Sequence, residues 1–172
     1  MCLLKTIKPD EATAEVKIAY QQMIKRTGMV PKPVELASVS PFFFETLMKT
    51  IAYFANHPNL DFLLLVHIRM LSSKQCSNDI CMNFNKEILM KMGLTDSQTN
   101  KIIQTPESAE LPPKEKAMLS FVLNAVGDPE SVDETQMKIL HEFGWEDQDI
   151  YDAVTTGVNM FALNKMMKIF KI

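Results

Sequence analysis

The stretch SSKQCSNDICMNFNKEILMKMG, residues 72–93, ends one run of helical periodicity and begins another, and it sets two cysteines, Cys76 and Cys81, at the break. Lys74 and Gln75 close the first run. Ser77, Asn78 and Asp79 are all good N-cap types, since a short polar side chain can accept an N–H group that a helix start leaves unpaired. Gly93 follows the second run in the manner of a C′ glycine. The stretch therefore predicts helix, tight break, helix.

Working outward, the chain reads as helix almost everywhere. Residues 10–27 predict an opening helix with Val16, Ala19, Tyr20, Met23 and Ile24 on one face. TGMVPKPVELASVSP (27–41) predicts an extended connector, because Pro31 and Pro33 push the residues before them out of the αR region. Ser40 as N-cap and Pro41 at the first helical position open a helix to about residue 56, which NHPN (56–59) stops. Residues 60–74 form the most apolar helix and residues 77–92 the next. GLTDSQ (93–98) turns the chain into a short helix capped by Thr95 or Asp96. Beyond the TPESAELPP loop (105–113), helices are expected at about 113–126, 133–143 and 147–169, with Gly144 as a second C′ glycine. No segment alternates cleanly with period two, and no internal repeat stands out. The expected fold class is all-α, a single-domain helical bundle over residues 1–172.

Composition narrows the function classes. A net charge of -3 and a pI near 5.6 supply no basic stripe for nucleic acid or anionic lipid. The opening MCLLKTIKPDEATAEV (1–16) contains no signal-peptide core and no membrane span, so a cytoplasmic protein is expected, with neither nucleic acid nor membrane as partner. In that reducing compartment three cysteines do not suggest a structural disulfide framework. Cys2 stands at the terminus without context. The thirteen methionines sit mostly at helical spacing among Leu, Ile and Phe and read as core filler. NMFALNKMMKIFKI (159–172) is amphipathic and reads as a helix packed on the bundle or on a neighbouring subunit.

Cys76 and Cys81 raise a geometric question. Five residues apart on an unbroken helix, they would be rotated by about 140° and separated by about 7.5 Å, beyond disulfide reach. Ser77 as N-cap would instead put Cys76 at N′ and Cys81 at N4, two positions whose side chains meet. Asn78 as N-cap would shift the register. The helix start also favours thiolate over thiol, with Asp79 working against it. Two readings stay open here: a redox pair, or two buried small residues at a helix junction. A metal site lacks the four ligands that zinc needs, and no cofactor is called for. His67, nine residues before Cys76 in DFLLLVHIRM (61–70), is the nearest base for thiol chemistry or else a core residue.

Several phrases in the chain resemble a known family. RTGMVPKPVELASVSP (26–41), KMGLTDSQTNKI (91–102), LPPKEKAMLSFVLNAVGDPESVDETQMKILHEFGWEDQDIYDAV (111–154) and NMFALNKMMKI (159–169) resemble, in this order and spacing, the carboxymuconolactone decarboxylase and alkylhydroperoxidase D-like proteins over roughly residues 20–170. The resemblance implies an all-helical subunit that assembles into trimers, hexamers or related oligomers. Alkylhydroperoxidase members reduce organic hydroperoxides with a C-x-x-C pair, an upstream glutamate and a histidine four residues past the second cysteine. With Cys81 in the second position, the histidine position falls on Asn85 and the first cysteine position on Asn78. A cysteine stands two residues earlier, at Cys76, as though the turn were enlarged. The glutamate position falls on Val66 or, allowing for the enlargement, on Leu64, and His67 is the nearest ionisable substitute.

Two functions from different classes follow. One is a thiol-dependent antioxidant, peroxidase-like enzyme with Cys76, Cys81 and His67 as catalytic residues, a small organic hydroperoxide as substrate and an external dithiol as reductant. The other is a catalytically inactive helical oligomer with a binding or scaffold role; for the decarboxylase branch no constellation of substrate-binding residues can be matched. In either case a homo-oligomer is expected, since PFFFETLMKTIAYF (41–54) is apolar on more than one side.

Overall fold

A computed structural model describes residues 2–172. Among them are nine α-helices and no strand: α1 (Ala14–Thr27), α2 (Lys32–Ala37), α3 (Pro41–Ala55), α4 (Phe62–Gln75), α5 (Asp79–Lys91), α6 (Asp96–Gln104), α7 (Pro113–Gly127), α8 (Glu134–Glu142) and α9 (Asp147–Phe170). The all-α expectation holds. The chain forms two compact units, one from the described residues up to Asn56 together with Leu163–Ile172, the other His57–Ala162.

In the first unit the expected extended connector is interrupted by α2. Pro31 is its N-cap and Pro33 lies in its first turn, where a missing N–H removes no helical hydrogen bond. The prolines therefore start this helix. Tyr20 of α1, Val30, Val34 of α2 and Phe44 of α3 share a core, with the Tyr20 and Phe44 rings edge to face at 6.0 Å. Glu35, buried in α2, accepts hydrogen bonds from Thr6 (3.0 Å), Lys32 (3.0 Å) and Lys8. Ser38 Oγ accepts from the Ile7 N–H and Tyr20 Oη donates to the Ile7 carbonyl, both at 2.9 Å, so the segment before α1 is strapped across α2. Leu3 N–H donates to the Phe170 carbonyl (2.8 Å), joining the two chain segments of this unit.

The second unit is built around α4. Leu64, Leu65, Val66, His67, Ile68 and Met70 are all fully buried, which marks a helix enclosed on nearly every side. Asp61 caps it by accepting the Leu63 N–H at 2.7 Å. α5 runs antiparallel against α4, and α7 packs beside it. α9 crosses closely at Gly157, where an added Cβ would come within 3.1 Å of Ser72 Oγ and 3.0 Å of Val122 and Val126. The α6 start is a capping box between Thr95 and Gln98, and Asp133 with Gln136 repeats it at α8. Gly93 (φ 111°) and Gly144 (φ 79°) take the left-handed conformation expected of them. The methionines divide: Met23, Met70, Met118, Met160 and Met167 are buried, whereas Met29, Met90, Met92 and Met166 are exposed, so core filling accounts for only part of them. No helix among the described residues is long and apolar enough to cross a membrane.

Candidate functional site

The α4–α5 junction brings Cys76 and Cys81 to one turn. α4 ends in a Schellman arrangement: the Ser77 N–H donates to the Lys74 carbonyl (3.0 Å) and the Asn78 N–H to the Ser73 carbonyl (2.8 Å), with Ser77 left-handed at φ 53°. Asn78 then caps α5, its Oδ1 accepting the Cys81 N–H at 3.1 Å. The cap is thus Asn78, not Ser77, so Cys76 and Cys81 do not occupy the N′ and N4 positions expected of them. Cys76 is the last residue of the α4 turn, and Cys81 is the third helical residue of α5. The physical reason is that the Schellman turn takes up Ser77, leaving Asn78 as the first side chain able to reach back to an α5 N–H.

The thiols differ in environment. Cys81 is buried, and Cys76 is half-buried; neither is in a disulfide. Cys76 Sγ lies 3.4 Å from the Ser73 carbonyl and 3.7 Å from the Met160 carbonyl on α9, in position to donate to either. Burial pushes the Cys81 thiol up and charge on Cys76 adds to this, while a hydrogen bond from Asn78 opposes both. The thiolate-favouring effect expected at the helix start is therefore outweighed by desolvation.

His67 does not face this turn. On a helix that advances about 100° per residue, His67 and Cys76 lie on opposite sides and about 13 Å apart along the axis. Its Nδ1–H donates to the Leu63 carbonyl at 2.8 Å, and Nε2 is buried without a partner. Desolvation pulls its pKa down, with the Leu63 bond opposing, so the imidazole is neutral at pH 7. His67, expected as the base, thus sits on the enclosed side of α4. Leu64 and Val66 are fully buried as well. Cys2, half-buried, is not part of the site.

Asn85 occupies the position where a histidine was sought. It is buried; its Nδ2 donates to the Cys81 carbonyl (2.8 Å) and its Oδ1 accepts from Arg69 Nε (3.1 Å). The Arg69 guanidinium stands 5.3 Å from the centre of the Phe62 ring, and desolvation lowers its pKa to about 10. Sequence reasoning passed over Arg69, although it is the only charged residue between Asp61 and Lys74 in the most apolar helix. That isolation was the available signal. Among the described residues no three His, Cys, Asp or Glu side chains converge as metal ligands would.

No family model matches this chain, and no curated protein matches it in sequence. Solved structures do match. A peroxidase-related protein from Silicibacter sp. TM1040 superposes with a TM-score of 0.83 at 14% identity, covering 99% of this chain and 90% of that one. The alkylhydroperoxidase AhpD core of a peroxidase-related protein from Ralstonia eutropha JMP134 gives 0.78 at 17% identity, with the same coverage of 99% and 90%. The debrominase Bmp8, as a cysteine-to-alanine variant in complex with 2,3,4-tribromopyrrole, gives 0.80 at 14% identity, covering 98% of this chain and 89% of that one. Over nearly its whole length, this chain has the all-α fold of the alkylhydroperoxidase D-like proteins.

Proposed function

We propose that this protein is a thiol-dependent peroxidase-like enzyme in which Cys76 and Cys81 form a redox pair that reduces organic hydroperoxides. The observation that supports it is the placement of Cys76 on the Schellman turn that ends α4 and of Cys81 in the first turn of α5, with the charge of one acting on the other. We take Cys81 as the attacking residue, since the Asn78 amide beside its sulfur and the α5 N-terminus oppose the rise that burial imposes on its thiol. Its thiolate takes the distal oxygen of the hydroperoxide, the O–O bond breaks, and the alkoxide leaves as the alcohol after taking a proton. The Cys76 thiolate then displaces hydroxide from the Cys81 sulfenic acid, which leaves as water, and a disulfide forms. Cys76 is the more exposed sulfur and the one an external dithiol attacks, supplying the two electrons and two protons that restore both thiols.

With Asn85 at the histidine position and His67 turned away, proton transfer falls to solvent, and slow turnover is expected. The deciding experiment is mass spectrometry of a peptide digest after mild treatment with cumene hydroperoxide. An intrachain Cys76–Cys81 link that dithiothreitol reverses is the expected result. Both thiols remaining reduced would leave the binding or scaffold role. A second reading, thiol-dependent debromination, is favoured by the fold shared with a debrominase; 2,3,4-tribromopyrrole in place of peroxide tests it through bromide release. The subunit self-associates in this proposal, supported by Phe42 and Phe43 on α3, whose side chains are 71% and 64% exposed.

A further inference from the structure

The most unusual charged group in the second unit is Arg69. Its side chain is partly buried, and among the described residues no carboxylate lies within ion-pair distance of it. Nε is engaged by Asn85, and among the described residues the two terminal NH2 groups have no protein acceptor. A guanidinium carries five N–H donors in a planar fork, and the terminal groups of this one, which are not among the buried unpartnered atoms, are open to an incoming anion. Asn85 cannot turn away from it, being itself buried and bonded through Nδ2 to the Cys81 carbonyl. Phe62, seven residues back on α4 and so on the same face, covers one side of the fork while remaining 40% exposed.

We infer that Arg69, oriented by Asn85 and backed by Phe62, is a carboxylate-binding subsite for an organic acid with a short apolar chain. The fork accepts both carboxylate oxygens in the bidentate manner that arginine favours, and the Phe62 ring offers a wall to the hydrocarbon. Cys81 precedes Asn85 by one helical turn, about 6 Å along the axis. The chain of an acid held at Arg69 packs on Phe62, and its carboxylate end lies at the α5 face that Asn85 shares with Cys81. As a substrate assignment this rests on the peroxidase reading and narrows its substrates to hydroperoxides that carry a carboxylate; as a binding site it stands alone.

The test is equilibrium binding of sodium octanoate, with octanamide as its uncharged counterpart, to the reduced full-length protein, followed by calorimetry and by the Arg69 Nε–H resonance. Octanoate is expected to bind at least ten-fold more tightly than octanamide and to shift that resonance. Arg69→Gln is expected to weaken octanoate at least ten-fold and Arg69→Lys by less, with helix content checked by circular dichroism. The octanoate–octanamide comparison needs no variant, so it decides the matter even where Arg69→Gln misfolds. Equal binding of the two ligands, no binding of octanoate because a second copy covers Arg69, or undiminished binding by a folded Arg69→Gln variant would each overturn the subsite. Binding through Arg69 in a protein whose thiols resist peroxide would uphold the subsite and remove the peroxidase reading.

Discussion

The side chain of Asn78 accepts the Cys81 N–H at 3.1 Å while its own N–H donates to the Ser73 carbonyl at 2.8 Å, so one residue finishes α4 and starts α5. Asn78→Ala removes the cap and should cost about 1 kcal/mol in urea denaturation. It also removes the amide that favours the Cys81 thiolate. Iodoacetamide alkylation of Cys81, followed by mass spectrometry across pH, should therefore move to higher pH in the variant. An unchanged profile would place that amide out of reach of the sulfur.

Ser77 occupies a left-handed conformation between the cysteines, at φ 53°. Glycine adopts this region freely, and a β-branched residue resists it. Ser77→Val should be less stable than Ser77→Gly by about 1–2 kcal/mol, as read from urea midpoints at constant m.

His67 is fully buried in α4, with its Nδ1–H on the Leu63 carbonyl. His67→Gln should leave the rate of thiol oxidation by peroxide unchanged. Its stability effect has a definite sign. Burial holds the folded pKa below 6.5, so the unfolded chain takes up more protons as pH falls past that value. Wild type should lose stability below pH 6.5, and the variant should lose less over the same interval. A slowed oxidation rate with unchanged helix content would return His67 to the site.

Burial alone would raise the Glu35 carboxyl, but hydrogen bonds from Lys8, Lys32 and Thr6 together bring it below its ordinary value of 4.5. A depressed carboxylate stabilises the fold above that pH, and the contribution is lost as pH falls through the lower folded value. Thermal melts of Glu35→Gln should accordingly show a lower Tm at neutral pH and a shallower decline in acid than wild type.

Exposed Phe42 and Phe43, with ring centres 5.3 Å apart, form an apolar site on α3. Replacing both by Glu should shift the protein toward monomer in sedimentation velocity, with little change in helix content. A wild type that sediments as a monomer at micromolar concentration would remove the self-association proposal.

The helices were legible because local signals agreed with the final packing. Pro41 opens α3, Thr95 with Gln98 opens α6, and Gly93 and Gly144 stand in left-handed turns, all features decided within a few residues. α2 was missed because Pro31 and Pro33 read as breakers, whereas they lie at the start of a helix only six residues long. The junction was harder. Ser77, Asn78 and Asp79 are equivalent as caps in isolation, and the choice was made by the hydrogen bonds that end α4, which no propensity for α5 encodes. Likewise, the side of α4 that carries His67 could not be told from an apolar run with no polar face. The pairing of Arg69 with Asn85 depends on the α4–α5 register, a relationship between helices and not a property of either one.

The first unit is discontinuous in the chain: its opening segment is completed by Leu163–Ile172, whereas His57–Ala162 forms an uninterrupted unit. On a ribosome, which delivers the chain from its N-terminus, the Leu3–Phe170 hydrogen bond must wait for the last residues before it can close. The thiol-bearing hairpin of α4 and α5 depends on partners close in sequence and can fold first, at low loop-closure cost. PFFFETLMKTIAYF (41–54), whose Phe42 and Phe43 stay exposed even in the folded subunit, is instead where chaperone demand and aggregation during synthesis should concentrate.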